Sequence, residues 1–302
     1  MVVAPVILFT FNRPIHTKKT LEALLKNDLV AETKLYVFSD GPRNEKDFLK
    51  IKEVRKLLYF FKSQKNFLEF NIIESEINKG LADSVINGIS KVFKEFNSVI
   101  VLEDDLIVSN DYIKYMNEAL QFYKNTNAGS VTGYNPLKLD DSTHSYRAYS
   151  MPRSCSFGWG TWKNIWNEID WEAKEYNNFR KNFFKRREFN KSGFDRSIRL
   201  DRQMKTNVQS WSIRFGFNLF MMNKLTYYPV NSKIKPNGWD GSGTHVTSGV
   251  KKFNLETKEC VSNVFKTLEV DYSLLKRFQK LYGNGIKDEV RELFYFVKNL
   301  IH

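Results

Sequence analysis

Ser98-Val99-Ile100-Val101-Leu102-Glu103-Asp104-Asp105-Leu106-Ile107-Val108 places three consecutive carboxylates between two apolar runs that suit a buried parallel strand. Adjacent carboxylates repel one another, and partial burial raises the cost of ionising them unless a cation or fixed donors compensate. A divalent metal carrying phosphate is the expected compensator, because all-oxygen sites favour Mg²⁺ or Mn²⁺. An exposed acidic turn is the alternative, and the apolar runs on both sides argue against it.

Outward from this stretch, strands and helices alternate. Residues 5–11 read as a strand. Residues 17–26 read as a helix whose apolar face carries Leu21, Leu24 and Leu25. Residues 34–38 form the next strand, closed by Ser39-Asp40-Gly41-Pro42. Phe48, Ile51, Val54, Leu58 and Phe61 recur at helical spacing. A third strand over 67–74 leads through Asn78-Lys79-Gly80 into a helix burying Val85, Ile89, Val92 and Phe96, and the acidic strand is the fourth. A helix marked by Ile113, Met116, Leu120 and Tyr123 follows, and residues 129–134 return to the sheet. This alternation predicts an α/β sandwich with a mostly parallel sheet and a ligand site beyond the carboxyl ends of its strands.

That rule gathers scattered polar residues on one rim: Arg13, Asp40, Asn78, Lys79, Gly80, and the triad Glu103, Asp104 and Asp105. Arg13 suits a phosphate or base edge, Asp40 accepts from a base or ribose, and Gly80 allows close backbone approach at a helix entrance. No glycine-rich dinucleotide fingerprint and no phosphate loop of the nucleoside-triphosphatase type occurs, which disfavours a nicotinamide enzyme or an ATPase.

The 302 residues carry 47 Lys and Arg against 34 Asp and Glu, a formal charge of +13 that favours anionic partners. Cys155 and Cys260 are too few and too separated for a thiolate metal site. The apolar opening lacks a basic leader and reads as a core strand, and no segment is long enough to cross a bilayer, so a cytoplasmic location is expected. Between 179 and 191, Arg180, Lys181, Lys185, Arg186, Arg187 and Lys191 interleave with Phe179, Phe183, Phe184 and Phe189, a pattern that fits either a solvated helix over a packed aromatic stripe or an anion-binding face.

With these pieces in place, the chain resembles the nucleotide-sugar glycosyltransferases of the GT-A fold, in particular bacterial family 2-like enzymes related to the N-acetylglucosaminyltransferase I group. The likeness rests on the strand and turn over 5–14, Ser39-Asp40-Gly41, Asn78-Lys79-Gly80-Leu81-Ala82 and Val101-Leu102-Glu103-Asp104-Asp105. It continues more loosely through Gly158-Trp159-Gly160-Thr161-Trp162 and Gly241-Ser242-Gly243-Thr244-His245. The resemblance implies a Rossmann-like catalytic domain over 1–250, divided into a nucleotide-sugar half (1–136) and an acceptor half (137–250), with a helical extension over 251–302. It implies Asp105 as metal ligand, Asp104 as a metal-shell or ribose contact, Arg13 and Asp40 as nucleotide contacts, and His245 as a diphosphate contact. The implied chemistry is transfer of a sugar from a nucleotide-diphosphate donor, a UDP-sugar, to a saccharide or lipid-linked glycan, with inversion, in bacterial surface polysaccharide synthesis. A carboxylate deprotonates the acceptor hydroxyl and Mn²⁺ or Mg²⁺ neutralises the leaving diphosphate.

Related inverting enzymes carry an aspartate beside a tryptophan where this chain has Trp211-Ser212, so the base must be sought elsewhere. Asp201 is preferred, with Asp195 and Asp240 as alternatives. Trp159 and Trp211 are the expected acceptor contacts, since aromatic faces cover sugars. Beyond residue 271, helical spacing returns at Leu274, Leu275 and Phe278, then at Ile286, Val290, Leu293, Val297 and Leu300. Lysines and arginines on the polar sides fit ordinary docking onto the catalytic domain at least as well as packing against a partner or peripheral contact with the inner face of an anionic membrane. Two other function classes remain: a sugar-phosphate nucleotidyltransferase, which lacks its usual glycine-rich loop here, and a basic nucleic-acid-binding protein, for which no recognition motif is evident.

Overall fold

A computed structural model describes residues 3–139, 145–238, 256–258, 264–283 and 286–301. The strands are β1 (Val6–Thr10), β2 (Lys34–Ser39), β3 (Glu69–Glu74), β4 (Ser98–Glu103), β5 (Leu106–Val108), β6 (Ala128–Thr132), β7 (Ala148–Met151), β8 (Trp159–Trp162), β9 (Leu225–Pro229) and β10 (Ile234–Pro236). The helices are α1 (Pro14–Leu24), α2 (Glu45–Ser63), α3 (Gly80–Val92), α4 (Tyr112–Tyr123), α5 (Lys163–Asn167), α6 (Tyr176–Arg180), α7 (Phe183–Phe189), α8 (Arg196–Lys205), α9 (Trp211–Met221), α10 (Tyr272–Leu281) and α11 (Ile286–Ile301).

Eight strands form one sheet in the order β3-β2-β1-β4-β8-β6-β9-β7, and β10 pairs with β5 in a small second sheet. β1, β2, β3 and β4 are mutually parallel, β8 runs against both β4 and β6, β9 is parallel to β6, and β7 is reversed. The sheet is therefore mostly parallel, with β7 and β8 the reversed strands. Successive strand residues point to opposite faces. In β8, Gly160 lies against Met116 and Leu120 of α4, whereas its neighbour Trp159 meets Trp211 and Phe215 of α9. Helices thus cover both faces, as the α/β sandwich expectation requires.

The strand at the centre of the argument ends earlier than its apolar continuation suggests. β4 stops at Glu103, and Leu106–Val108 leaves the main sheet to pair antiparallel with β10. The reason lies in its neighbour. β1 ends at Thr10, and Pro14 opens α1 at a position where a missing N–H costs nothing, so a longer β4 would have no partner on that side.

The turns after β2 and β3 are locked together by Asp40. Its Oδ1 accepts from the Gly41 and Lys79 N–H groups (both 2.9 Å), and its Oδ2 accepts from the Gly80 N–H and Asn78 Nδ2 (both 3.1 Å). α3 has no capping side chain of its own at its N-terminus, so a carboxylate from another strand satisfies donors the helix leaves open. The two turns press so closely that a Cβ on Gly41 would overlap the Ile77 backbone. Gly41→Ala is accordingly expected to lower the unfolding free energy by about 1–3 kcal/mol, read by urea denaturation. An unchanged midpoint would show that the two turns can separate freely.

Candidate functional site

Strand register sets the rim level. Thr10 pairs with Ser39 and Ser39 with Glu74, while Phe9 lies opposite Glu103, so the chain leaves β1, β2, β3 and β4 along one edge. Arg13, Asp40, Asn78, Lys79, Gly80, Glu103 and Asp105 follow those strand ends, and the structure brings them to the same edge.

Within the triad the three carboxylates differ. Asp104 turns inward: its Oδ2 accepts from the Phe11 N–H (3.2 Å) and Thr17 Oγ1 (3.3 Å), and its carbonyl accepts from Thr20 Oγ1 (3.0 Å). Burial, then the charge of Asp105, pushes its pKa up to about 7 against the pull of the Phe11 N–H, Arg13 and Thr17. The expected metal and ribose contacts of Asp104 are therefore corrected. The side chain fastens β4 to the start of α1 and is buried away from the rim.

Asp105 faces the rim and accepts from Arg13 Nη1 at 2.8 Å. Its carbonyl accepts from the Asn237 N–H at 2.7 Å, and a Cβ on Gly238 would overlap its carboxylate, so the segment after β10 passes directly over the Arg13–Asp105 pair. Glu103 is partly exposed, and among the described residues no donor reaches its carboxylate. Burial, then Asp105 and Asp104, raises its proton affinity well above the usual carboxylate range against the opposing pull of Arg13. Glu103 and Asp105 therefore resist ionising together beside a single guanidinium, a conflict that a bound cation would relieve.

Among the described residues no group of three or more His, Cys, Asp and Glu side chains is arranged to hold a metal. Mg²⁺ commonly takes only one or two protein carboxylates, completing its shell with water and substrate phosphate. The all-oxygen pair Glu103 and Asp105, with Glu103 lacking a protein donor, fits that chemistry; a cage built on Asp104 does not.

Beside Asp40 lies a small pocket bounded by Phe38, Ser75, Lys79, Asn87 and Lys91. Asp40 itself spends its oxygens on the two turns, so its place is that of an organiser of the rim, which corrects the expectation of a carboxylate offered to base or ribose. Sequence reasoning missed a second organiser. Asp47, buried near the start of α2, accepts from Asn12 Nδ2 and from Arg43 Nε (2.8 Å), and Arg43 lies 4.8 Å from the Phe11 ring centroid. This network fixes the residue before Arg13. The only sequence sign of it is the Arg43–Asp47 spacing of one helical turn.

The second half departs from expectation. Asp201 is 2% exposed, and its two oxygens take both terminal nitrogens of Arg186 (each 2.9 Å), the Tyr176 hydroxyl (3.0 Å) and Asn299 Nδ2 (3.1 Å). No surface remains for an acceptor hydroxyl, so Asp201 is an ion-pair residue and the preference for it as base is corrected. Asp195 is bidentate to Arg153 (2.8 and 2.9 Å) and is likewise engaged. Trp159 and Trp211 are buried and stacked with ring centroids 5.0 Å apart; they are core residues, which corrects their assignment to the acceptor wall. Trp159 opens β8, and of the glycines on either side of it only Gly158 has positive φ (+53). Asp240 and His245 lie outside the described residues.

No protein-family model matches the sequence, and no curated protein matches it. Among solved structures, the chain is similar to the crystal structure of S. aureus TarS 1-349, with a TM-score of 0.40 and 12% identity. The alignment covers 74% of this chain and 59% of that one, so the chain spans about three-fifths of that structure's length. A likeness that distant is silent on chemistry.

The Arg153–Asp195 pair yields a pH expectation. Burial alone would raise the Asp195 carboxyl, but Arg153, with Arg199 and Arg196 behind it, reverses that and holds it well below the usual carboxylate range. Its stabilisation is fully present above the unfolded carboxylate value of about 4 and is lost as the pH falls through the lower folded value. Asp195→Asn should lower the unfolding free energy by about 2 kcal/mol at neutral pH and flatten the acid limb of a urea-denaturation series. Parallel parent and variant curves throughout the acid range would refute it.

Proposed function

We propose that this chain is a metal-dependent glycosyltransferase that moves a sugar from a nucleotide-diphosphate donor to a saccharide or lipid-linked glycan. The observation that carries the reading is the unbalanced carboxylate pair, Glu103 and Asp105, at the carboxyl end of β4, on the same rim as Arg13. Two neighbouring carboxyls that resist ionising together without a cation, beside a guanidinium, suit a divalent cation together with a diphosphate, and open α/β sheets bind ligands on this rim.

In this reading Glu103 and Asp105 would hold Mg²⁺ or Mn²⁺, which when bound supplies charge neutralisation for a leaving diphosphate. Arg13, now on Asp105, contributes a charge-assisted donor to a phosphate oxygen. Asp40 and Asp47 hold the rim loops in place before the donor arrives, which reduces the ordering cost of binding. Asp201 and Asp195 are both engaged in ion pairs, so the base role falls to Asp240, two residues beyond Gly238 in the chain. The sugar, the nucleotide base, inversion and a place in surface polysaccharide synthesis rest on the sequence resemblance.

Calorimetry with nucleoside diphosphates, with and without Mn²⁺, tests the donor half. Asp105→Asn should reduce metal-dependent binding by at least about tenfold, and Arg13→Ala should weaken nucleotide binding by about 1.5–3 kcal/mol. Unaltered metal-dependent binding in D105N would remove Asp105 from the site. Turnover of UDP-sugars with and without saccharide acceptors tests the rest. Asp240→Asn should abolish transfer while sparing donor binding, and Asp201→Asn should cost stability while leaving turnover per folded molecule near parental. Formation of a nucleotide-sugar from a sugar phosphate and a nucleoside triphosphate would instead favour a nucleotidyltransferase.

A further inference from the structure

α11 is turned inside out for a docked helix. Its polar residues Asp288, Glu292 and Asn299 are buried, while Val290, Leu293, Phe294, Val297 and Leu300 are between 46% and 67% exposed. At 3.6 residues per turn these five fall on one stripe, opposite the buried polar side, along a helix about 24 Å long. The inversion has a physical cause. Glu292 Oε1 accepts from Arg186 Nε (2.6 Å), Glu292 Oε2 accepts from Ser197 Oγ (2.6 Å), and Asn299 Nδ2 donates to Asp201, so the polar side is pinned to α7 and α8 and the apolar side must face out.

The surroundings of the stripe are cationic on both flanks. Lys287, Arg291 and Lys298 lie along one side of α11, and all three are exposed. On the other side, Phe296 meets Phe183 of α7 at 5.3 Å, and α7 and the residues before it present exposed Lys181, Lys185 and Arg187 together with Phe184, which is 81% exposed. Glu289 is exposed among these cations, and Arg291 pairs with Asp288 at 3.0 Å. No helix among the described residues is long and apolar enough to cross a membrane.

We infer that the exposed apolar stripe of α11, together with Phe184 and its flanking cations, is a docking face for an anionic lipid surface, on which α11 lies in the plane of the interface. An apolar stripe carrying Phe and Leu between rows of Lys and Arg is the pattern of an interfacial helix, and the cations complement anionic headgroups. A second copy is the weaker occupant, because a two-fold pairing of α11 would bring the same rows of cations against each other. The inference stands apart from the sugar-transfer reading, since neither α11 nor α7 supplies a residue to the rim.

The test is flotation of the full chain with vesicles of phosphatidylcholine alone and of phosphatidylcholine mixed with phosphatidylglycerol, at low and high salt. The chain should float with the mixed vesicles and not with the neutral ones, and high salt should weaken the binding. Phe294→Gln with Val297→Gln should reduce partitioning by at least about tenfold, with thermal unfolding unchanged because both side chains are exposed. Lys287→Gln with Lys298→Gln should reduce it independently and shallow the salt dependence. Failure of the parent to float, equal flotation with neutral vesicles, or equal flotation of parent and F294Q/V297Q overturns the inference. So does a dimer, seen by sedimentation, that F294Q/V297Q separates in the absence of vesicle binding.

Discussion

Parallel pairing of β1 with β2 on one side and β4 on the other is the constraint from which the candidate site follows. It sets Phe9 level with Glu103 and Thr10 level with Ser39, and so determines which turns can touch. Once that level is set, side chains finish the rim. Asp104 closes the junction of β4 with α1, Asp40 closes the junction of β2 with α3, and Asp47 anchors the residue before Arg13. In each case a carboxylate is spent on backbone or amide donors that helix ends and turns leave open, which is the cost-effective use of a partly buried acid. What is left over is Glu103, without a protein donor among the described residues, beside Asp105, which pairs with Arg13.

The opposite end of the molecule is organised by a buried charge. Arg186 is fully buried between Asp201 and Glu292, and those two acids belong to different helices, α8 and α11. A buried pair of this kind contributes little net stability compared with apolar packing, but removing one member leaves an uncompensated charge in the interior. The network therefore acts mainly on geometry: it admits α11 in one rotation only. Apolar packing would have turned Leu293 and Val297 inward; the ion pairs turn them outward. α10 behaves in the ordinary way, burying Leu274, Leu275 and Phe278 against Tyr149 and Tyr228.

The same contrast explains what was legible in the sequence. The alternation of strands and helices in the first half was readable because apolar periodicity reports burial directly, and strand ends in such a fold converge by rule. Which acid at a strand end points inward was not readable, since Glu103, Asp104 and Asp105 are adjacent and the turn geometry separates them. The preference for Asp201 as base rests on its position in the second half of the chain, and its partner Arg186, fifteen residues away in sequence, could not be read from its neighbours. Trp159 was expected to face an acceptor, yet it is held in the core, and Gly160 beside it is there because its neighbour Val99 and the α4 side chains leave no room for a Cβ. The apolar positions of α11 were legible from their helical spacing, but which way they face was not, because the residues that orient the helix, Arg186 and Asp201, are remote in sequence.

Sequences usually agree with their structures at every level, and departures concentrate where something other than folding is being served. Here there are two departures of opposite character. Glu103 is a partly exposed acid crowded by Asp104 and Asp105, without a protein donor among the described residues, and α11 exposes an apolar stripe while burying its polar side. Neither improves stability: the first concentrates repulsion and the second leaves transferable apolar area in water. Each would be relieved by an external partner of complementary character, a cation with its phosphate for the first and a headgroup-bounded apolar layer for the second. Because the two departures share no residue, and the Arg186 network holds one without touching the other, the rim and the exposed face of α11 can be altered separately.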